Sequence, residues 1–135
     1  MRKIILMVLL AVLSGSATAF DYRCTVDRVV MTTSSSSNVL AFEEKLIVGK
    51  QFTVDRRTGI MAGILKNSYI TKPVVIDEGS SQNSYKVVTT MRREEGVGIG
   101  SNIYALTINE FEKSEMRSFV FLENDTVYLG RCEHF

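Results

Sequence analysis

The residues of this 135-residue chain that could do chemistry are few and far apart. Its single histidine, His134, stands one residue from the C-terminus. A Ser-His-Asp or Cys-His apparatus holds its histidine rigidly against a third group, so His134 reads as a solvated side chain. The stretch "GVGIG" (96–100) has the glycine density of a phosphate cradle. A dinucleotide fingerprint, however, sits between a strand and a helix, and here a strand pattern follows, so the stretch reads as a hairpin loop. Glu43–Glu44 and Glu94–Glu95 are adjacent acidic pairs. Neighbours in an extended chain point to opposite faces, so these pairs do not suit two-carboxylate catalysis. The basic doublets Arg56–Arg57 and Arg92–Arg93 would attract anions if the fold set them on one rim. No CxxC motif, nucleophile elbow or P-loop is present, and one histidine is too few for a zinc cluster. No catalytic residue, metal or cofactor is therefore expected, and an enzyme is not the expected class.

The two cysteines, Cys24 and Cys132, lie near opposite ends of the chain. What precedes Cys24 decides their chemistry. Arg2 and Lys3 are followed by an uncharged apolar run from Ile4 to Leu13 and by the small-x-small triplet Ala17-Thr18-Ala19. That order is a secretory signal peptide cleaved after Ala19, and the run falls short of the ~20 residues that span a bilayer. Export to the periplasm or beyond would place both thiols where disulfides form. One intramolecular pairing is available, Cys24 with Cys132, and it reads as a structural staple between the first and last strands.

Cleavage leaves 116 of the 135 residues, enough for a single β domain over 20–135 with a modest core. The leader holds two of the 16 basic residues and none of the 15 acidic ones, so the remainder carries a net charge of −1. Nucleic-acid binding and stable membrane attachment after cleavage are not expected from so neutral a surface.

The rest of the chain alternates with period two. "YRCTVDRVVM" (22–31), "KQFTVDRR" (50–57) and "SYKVVTTMR" (84–92) set one apolar face against one polar face, as half-buried strands do. "IMAGILKN" (60–67), "PVVID" (73–77), "NIYALTINEF" (102–111), "RSFVFLE" (117–123) and "TVYLGRCEHF" (126–135) are rich in β-branched and aromatic residues. "DRRTG" (55–59) and "LENDTV" (122–127) read as tight hairpin turns. "TSSSSN" (33–38), "DEGSSQN" (77–83) and "REEGVGIGSN" (93–102) read as longer loops. Pro73, the only proline, suits a strand start. "NVLAFEEKLIVG" (38–49) reads as a short helix with Asn38 as N-cap, Val39, Phe42 and Leu46 at helical spacing and Gly49 past its end; the alternative is a strand over 45–48 that runs into the next one. Seven or eight strands with hairpin-length links imply an all-β, mainly antiparallel meander: a small barrel or a two-sheet sandwich. A staple from first to last strand favours closure by joining the two edges of the meander.

The stretches "FTVDRRTGIMAG", "SSQNSYKVVTT" and "TVYLGRCEHF" resemble small exported proteins of proteobacteria that have no assigned activity. Their shared motifs are a hairpin, a loop and a staple, so the resemblance implies no active-site residue. At the level of architecture the chain is also similar to the periplasmic lysozyme inhibitors, which are compact stapled β-barrels.

These readings converge on a non-enzymatic module that binds another envelope or extracellular protein. The candidate surfaces are "REEGVGIGSN", the Arg56–Arg57 hairpin with Arg92 and Arg93, and an apolar row of Tyr104, Leu106 and Ile108 that would mark an interface if exposed. A barrel carrying a small apolar ligand and an inhibitor of a periplasmic enzyme are the alternatives.

Overall fold

A computed structural model describes residues 20–31, 37–69, 71–95 and 102–135. Residues 1–19, read above as a signal peptide, most of the "TSSSSN" loop and the "GVGIG" stretch lie outside those residues. Eight strands form one antiparallel sheet curled into a half-barrel. In chain order they are β1 (Tyr22–Met31), β2 (Gln51–Val54), β3 (Met61–Gly63), β4 (Val74–Glu78), β5 (Tyr85–Met91), β6 (Asn102–Ile108), β7 (Arg117–Glu123) and β8 (Thr126–His134). A helix, α1 (Ser37–Ile47), links β1 to β2, and a single 3-10 turn covers Arg93–Glu95.

Spatial order is β3-β2-β1-β8-β7-β6-β5-β4. The first and last strands are thus neighbours, paired from Tyr22↔His134 to Met31↔Thr126. Cys24 and Cys132 face each other in that ladder and are bonded, with S–S 2.01 Å. The staple does not join the sheet's edges, as the sequence suggested. β1–β8 is an interior seam, and the sheet opens instead between β3 and β4. Loop-entropy reasoning puts closure of the 108-residue separation near ~4.7 kcal/mol.

The concave face is the core. Period two brings Tyr22, Cys24 and Val26 inward on β1, and a bulge at Asp27 then shifts the phase so that Val29 is buried. Phe52, Val54, Tyr85, Val87, Leu106, Ile108, Phe119 and Phe121 fill the rest. Tyr104, Leu106 and Ile108, a candidate interface only if exposed, belong to this face and are 6%, 1% and 0% exposed. Their two-sided apolar pattern arises because outward Ile103 sits among them, still 45% exposed.

The helix forms where expected, but its buried side differs. Leu40 packs on the core and Ile47 is buried, while Val39, Phe42 and Leu46 face out. Asn38 lies within the helix rather than capping it. Gly49 follows the helix with φ +78° and donates its N–H to the Val26 carbonyl at 2.8 Å. That bond ties the chain just past the helix to β1, and Glu43 ties the helix itself to Tyr128 of β8.

Candidate binding surface

The opening between β3 and β4 is the feature that separates this sheet from a closed barrel, and its two sides are built differently. β3 stops at Gly63, whose φ is +125°, where the expected strand runs on to residue 67. Beyond it the chain turns in. Asn67, 1% exposed, accepts from the Met61 N–H and donates to the Gly59 carbonyl, each at 2.8 Å. Its amide thereby does for β3 what a neighbouring strand would do, and blunts that edge.

β4 has no such cover. It pairs with β5 on one side. Apart from the Arg56 guanidinium, which donates to the Glu78 carbonyl at 2.8 Å, no described group bonds the backbone of Val74–Glu78 from the other side. A bulge at Ile76 interrupts the ladder between Val75 and Asp77. Bulges keep an edge from pairing indiscriminately, but this one leaves Val74 and Ile76 outward, 59% and 61% exposed.

A groove of about 420 Å³ runs beside this edge, lined by Arg57, Ile60, Lys72, Pro73, Val74 and Val75. Its far wall is the β2–β3 turn. The Asp55 carboxylate accepts the backbone N–H groups of Arg57 and Thr58, which holds its pKa below the usual carboxylate range. Gly59 closes the turn at φ +76°, and a Cβ there would stand 2.7 Å from Val87 Cγ1. The turn is thus pressed against the inner side of β4 and β5, with Arg57 left outside it. The lining holds two cations, Arg57 and Lys72, and no carboxylate.

The two arginine doublets are not brought together. Tyr85, at the start of β5, donates its hydroxyl to the Arg56 carbonyl at 2.9 Å. Arg92 follows the last residue of the same seven-residue strand. At about 3.3 Å per residue the doublets are ~20 Å apart, at opposite ends. Arg56 is also half-buried, its guanidinium 5.7 Å above the Tyr22 ring. Arg92 is exposed, with its N–H on Glu95. Arg93 opens the 3-10 turn, and its side chain is outside the described set.

His134 is not a solvated residue. Its Nε2 lies 2.9 Å from Glu110 Oε1 and its ring 4.8 Å from that of Tyr22. Arg117 Nε approaches the same carboxylate oxygen at 3.4 Å. Burial, then the neighbouring Glu110, pushes the Tyr22 phenol well above its usual range. This cluster plugs the end of the half-barrel where β1 begins and β8 ends. Glu43 also departs from the solvated reading, because its Oε1 accepts the Tyr128 hydroxyl at 2.9 Å. Glu94 and Glu95 are exposed, as expected.

Among the described residues no three His, Cys, Asp or Glu side chains gather as a metal site would require, and no helix is long and apolar enough to cross a membrane. No protein-family model, curated protein or solved structure matches the chain.

Proposed function

We propose that the chain is an exported, non-enzymatic binding module that takes an extended segment of another envelope or extracellular protein along β4. The supporting observation is the uncovered β4 edge beside a groove that is apolar and cationic. Adding a strand to a sheet edge gives affinity through the main chain and specificity through alternate side chains. Outward Val74 and Ile76 ask for apolar partners at every second position, and Arg57 and Lys72 ask for acidic ones. Export is supported by the charged, apolar and small-residue order of residues 2–19 and by the formed disulfide. Carriage of an apolar ligand has less support, because large aromatic side chains occupy the concave face.

The test uses fluorescein-labelled decapeptides alternating Val or Ile with Glu, and matched peptides with Lys in place of Glu. By anisotropy the Glu peptides bind, while Ile76→Asp and Arg57→Glu each weaken binding by roughly tenfold, the loss of one good contact at ~1.4 kcal/mol. Equal binding of the Lys peptides, or no binding of either set, overturns the reading.

A further inference from the structure

Both ends of the half-barrel are polar inside, and they are built to opposite plans. Where the termini meet, Glu110 is matched by His134 and Arg117. At the helix end two carboxylates converge, and no described cation is paired with either. Register places Thr89 opposite Tyr104 and Tyr104 opposite Glu123, on β5, β6 and β7. Residues directly opposite share a face, so Glu123 follows Phe119 and Phe121 onto the concave side. α1 brings Glu43 over the same row, held by the Tyr128 hydroxyl. Burial, then the Glu43 charge, keeps Glu123 above the usual carboxylate range.

Two further observations mark this mouth as unfinished. Thr89 is 1% exposed, and its hydroxyl has no hydrogen-bond partner among the described residues. Such buried, unpaired groups are uncommon; the three others among the described residues, Tyr22 Oη, Glu110 Oε1 and Arg117 Nε, all lie in the cluster at the opposite end. No described Lys or Arg forms an ion pair with Glu43 or Glu123. Around the carboxylates run the rings of Tyr69, Tyr104, Phe121 and Tyr128, with successive centroids 6.1, 6.3 and 6.0 Å apart. Tyr69, at the outer end of the row, is 60% exposed and leaves the mouth open to solvent.

We infer that this mouth binds an alkylammonium group, with Glu123 and Glu43 as counter-charge and Tyr69 and Tyr104 as ring faces. Aromatic faces attract organic cations through their quadrupole, more strongly once water is excluded. A hard divalent ion is a poor fit, because it needs about six oxygen ligands. The carboxylates supply negative charge, the rings accommodate the alkyl chain, and Thr89 offers a hydroxyl acceptor to the ammonium.

The probe is n-butylammonium, with 1-butanol as its neutral isostere, followed by the ring resonances of the five tyrosines in the mature protein. Butylammonium is expected to shift Tyr69 and Tyr104 in a saturable way, and 1-butanol is not. Glu123→Gln and the surface change Tyr69→Leu are each expected to weaken binding by about tenfold or more, the loss of a charge partner or a ring face. Glu94→Gln, an exposed control, should bind as the wild type does. Equal response to amine and alcohol, no response to either, or full affinity in both Glu123→Gln and Tyr69→Leu would overturn the inference. A capped lysine, N-acetyl-lysine-N-methylamide, separates the sources. Affinity equal to that of butylammonium assigns the mouth to a lysine side chain of a partner, and weaker affinity assigns it to a free amine.

Discussion

At the residue scale, carboxylates at the two ends of β7 illustrate how placement sets chemistry. Glu112 lies in the turn before β7, where the Ser118 hydroxyl and the Ser118 N–H both donate to it and hold its pKa below the usual range. Those bonds stabilise the fold above the ordinary carboxylate range, and that contribution is lost as pH falls through the lowered value. Glu123, at the other end of the strand, has the opposite sign. Its raised pKa means that folding penalises its charged form, fully so at pH above the raised value and not at all below the ordinary value of 4.5, where both states are protonated. Glu123→Gln is therefore expected to be more stable than the wild type at pH 7, with the difference closing toward pH 4. Urea titrations at a series of pH values measure this, and a difference that grows on acidification would refute it. Glu123 shares the phase of Phe119 and Phe121 in β7, which the β-branched and aromatic content of "RSFVFLE" did not single out. Nothing in the sequence showed that Glu43 would be brought over it, because that depends on how the helix rolls.

At the element scale, strand existence was legible and strand partnership was not. β1 and β7 match their predicted spans residue for residue, because period-two alternation in β1 and β-branched and aromatic content in β7 are local properties. The 55–59 and 124–125 turns were equally plain, with Gly59 and Asn124 both at positive φ. The α1 stripe was misassigned because Val39, Phe42 and Leu46 satisfy helical spacing as well as Leu40 and Ile47 do, and only the contacts of the helix with the sheet choose between them. β3 came out short because Asn67 replaces the strand that would have paired with it. That substitution has a measurable consequence. Asn67→Ala would strip partners from the Met61 N–H and the Gly59 carbonyl and is expected to cost about 3 kcal/mol, at ~1–3 kcal/mol for each buried group left unpaired. Equilibrium urea unfolding reads this directly, and a change within about 0.5 kcal/mol, the size of a neutral surface substitution, would show that the amide is not what seals β3.

At the scale of the whole molecule, the fold is a meander in which the seam has moved. Chain order alone would leave β1 and β8 as edges, and pairing them would close a barrel. Here they do pair, and the disulfide fastens them, but the ring fails to close between β3 and β4. The sequence pointed to the pairing through its two cysteines. It did not point to the opening, which depends on a short strand, a bulge and one side-chain amide acting together. The same opening sets the Arg56–Arg57 hairpin beside the gap, whereas Leu106 and Ile108 are buried on the concave face and Tyr104 sits at its helix-end mouth. One side of the gap is sealed from within by Asn67, and the other is uncovered apart from the Arg56 guanidinium. Hydrogen exchange of the Val74–Glu78 amides, followed with and without the Val/Glu decapeptide, distinguishes that arrangement from a barrel closed in solution. An open edge predicts outward β4 amides that exchange rapidly in the free protein and become protected when the peptide is added. Amides already protected in the free protein, or unchanged by a peptide that binds, would contradict it.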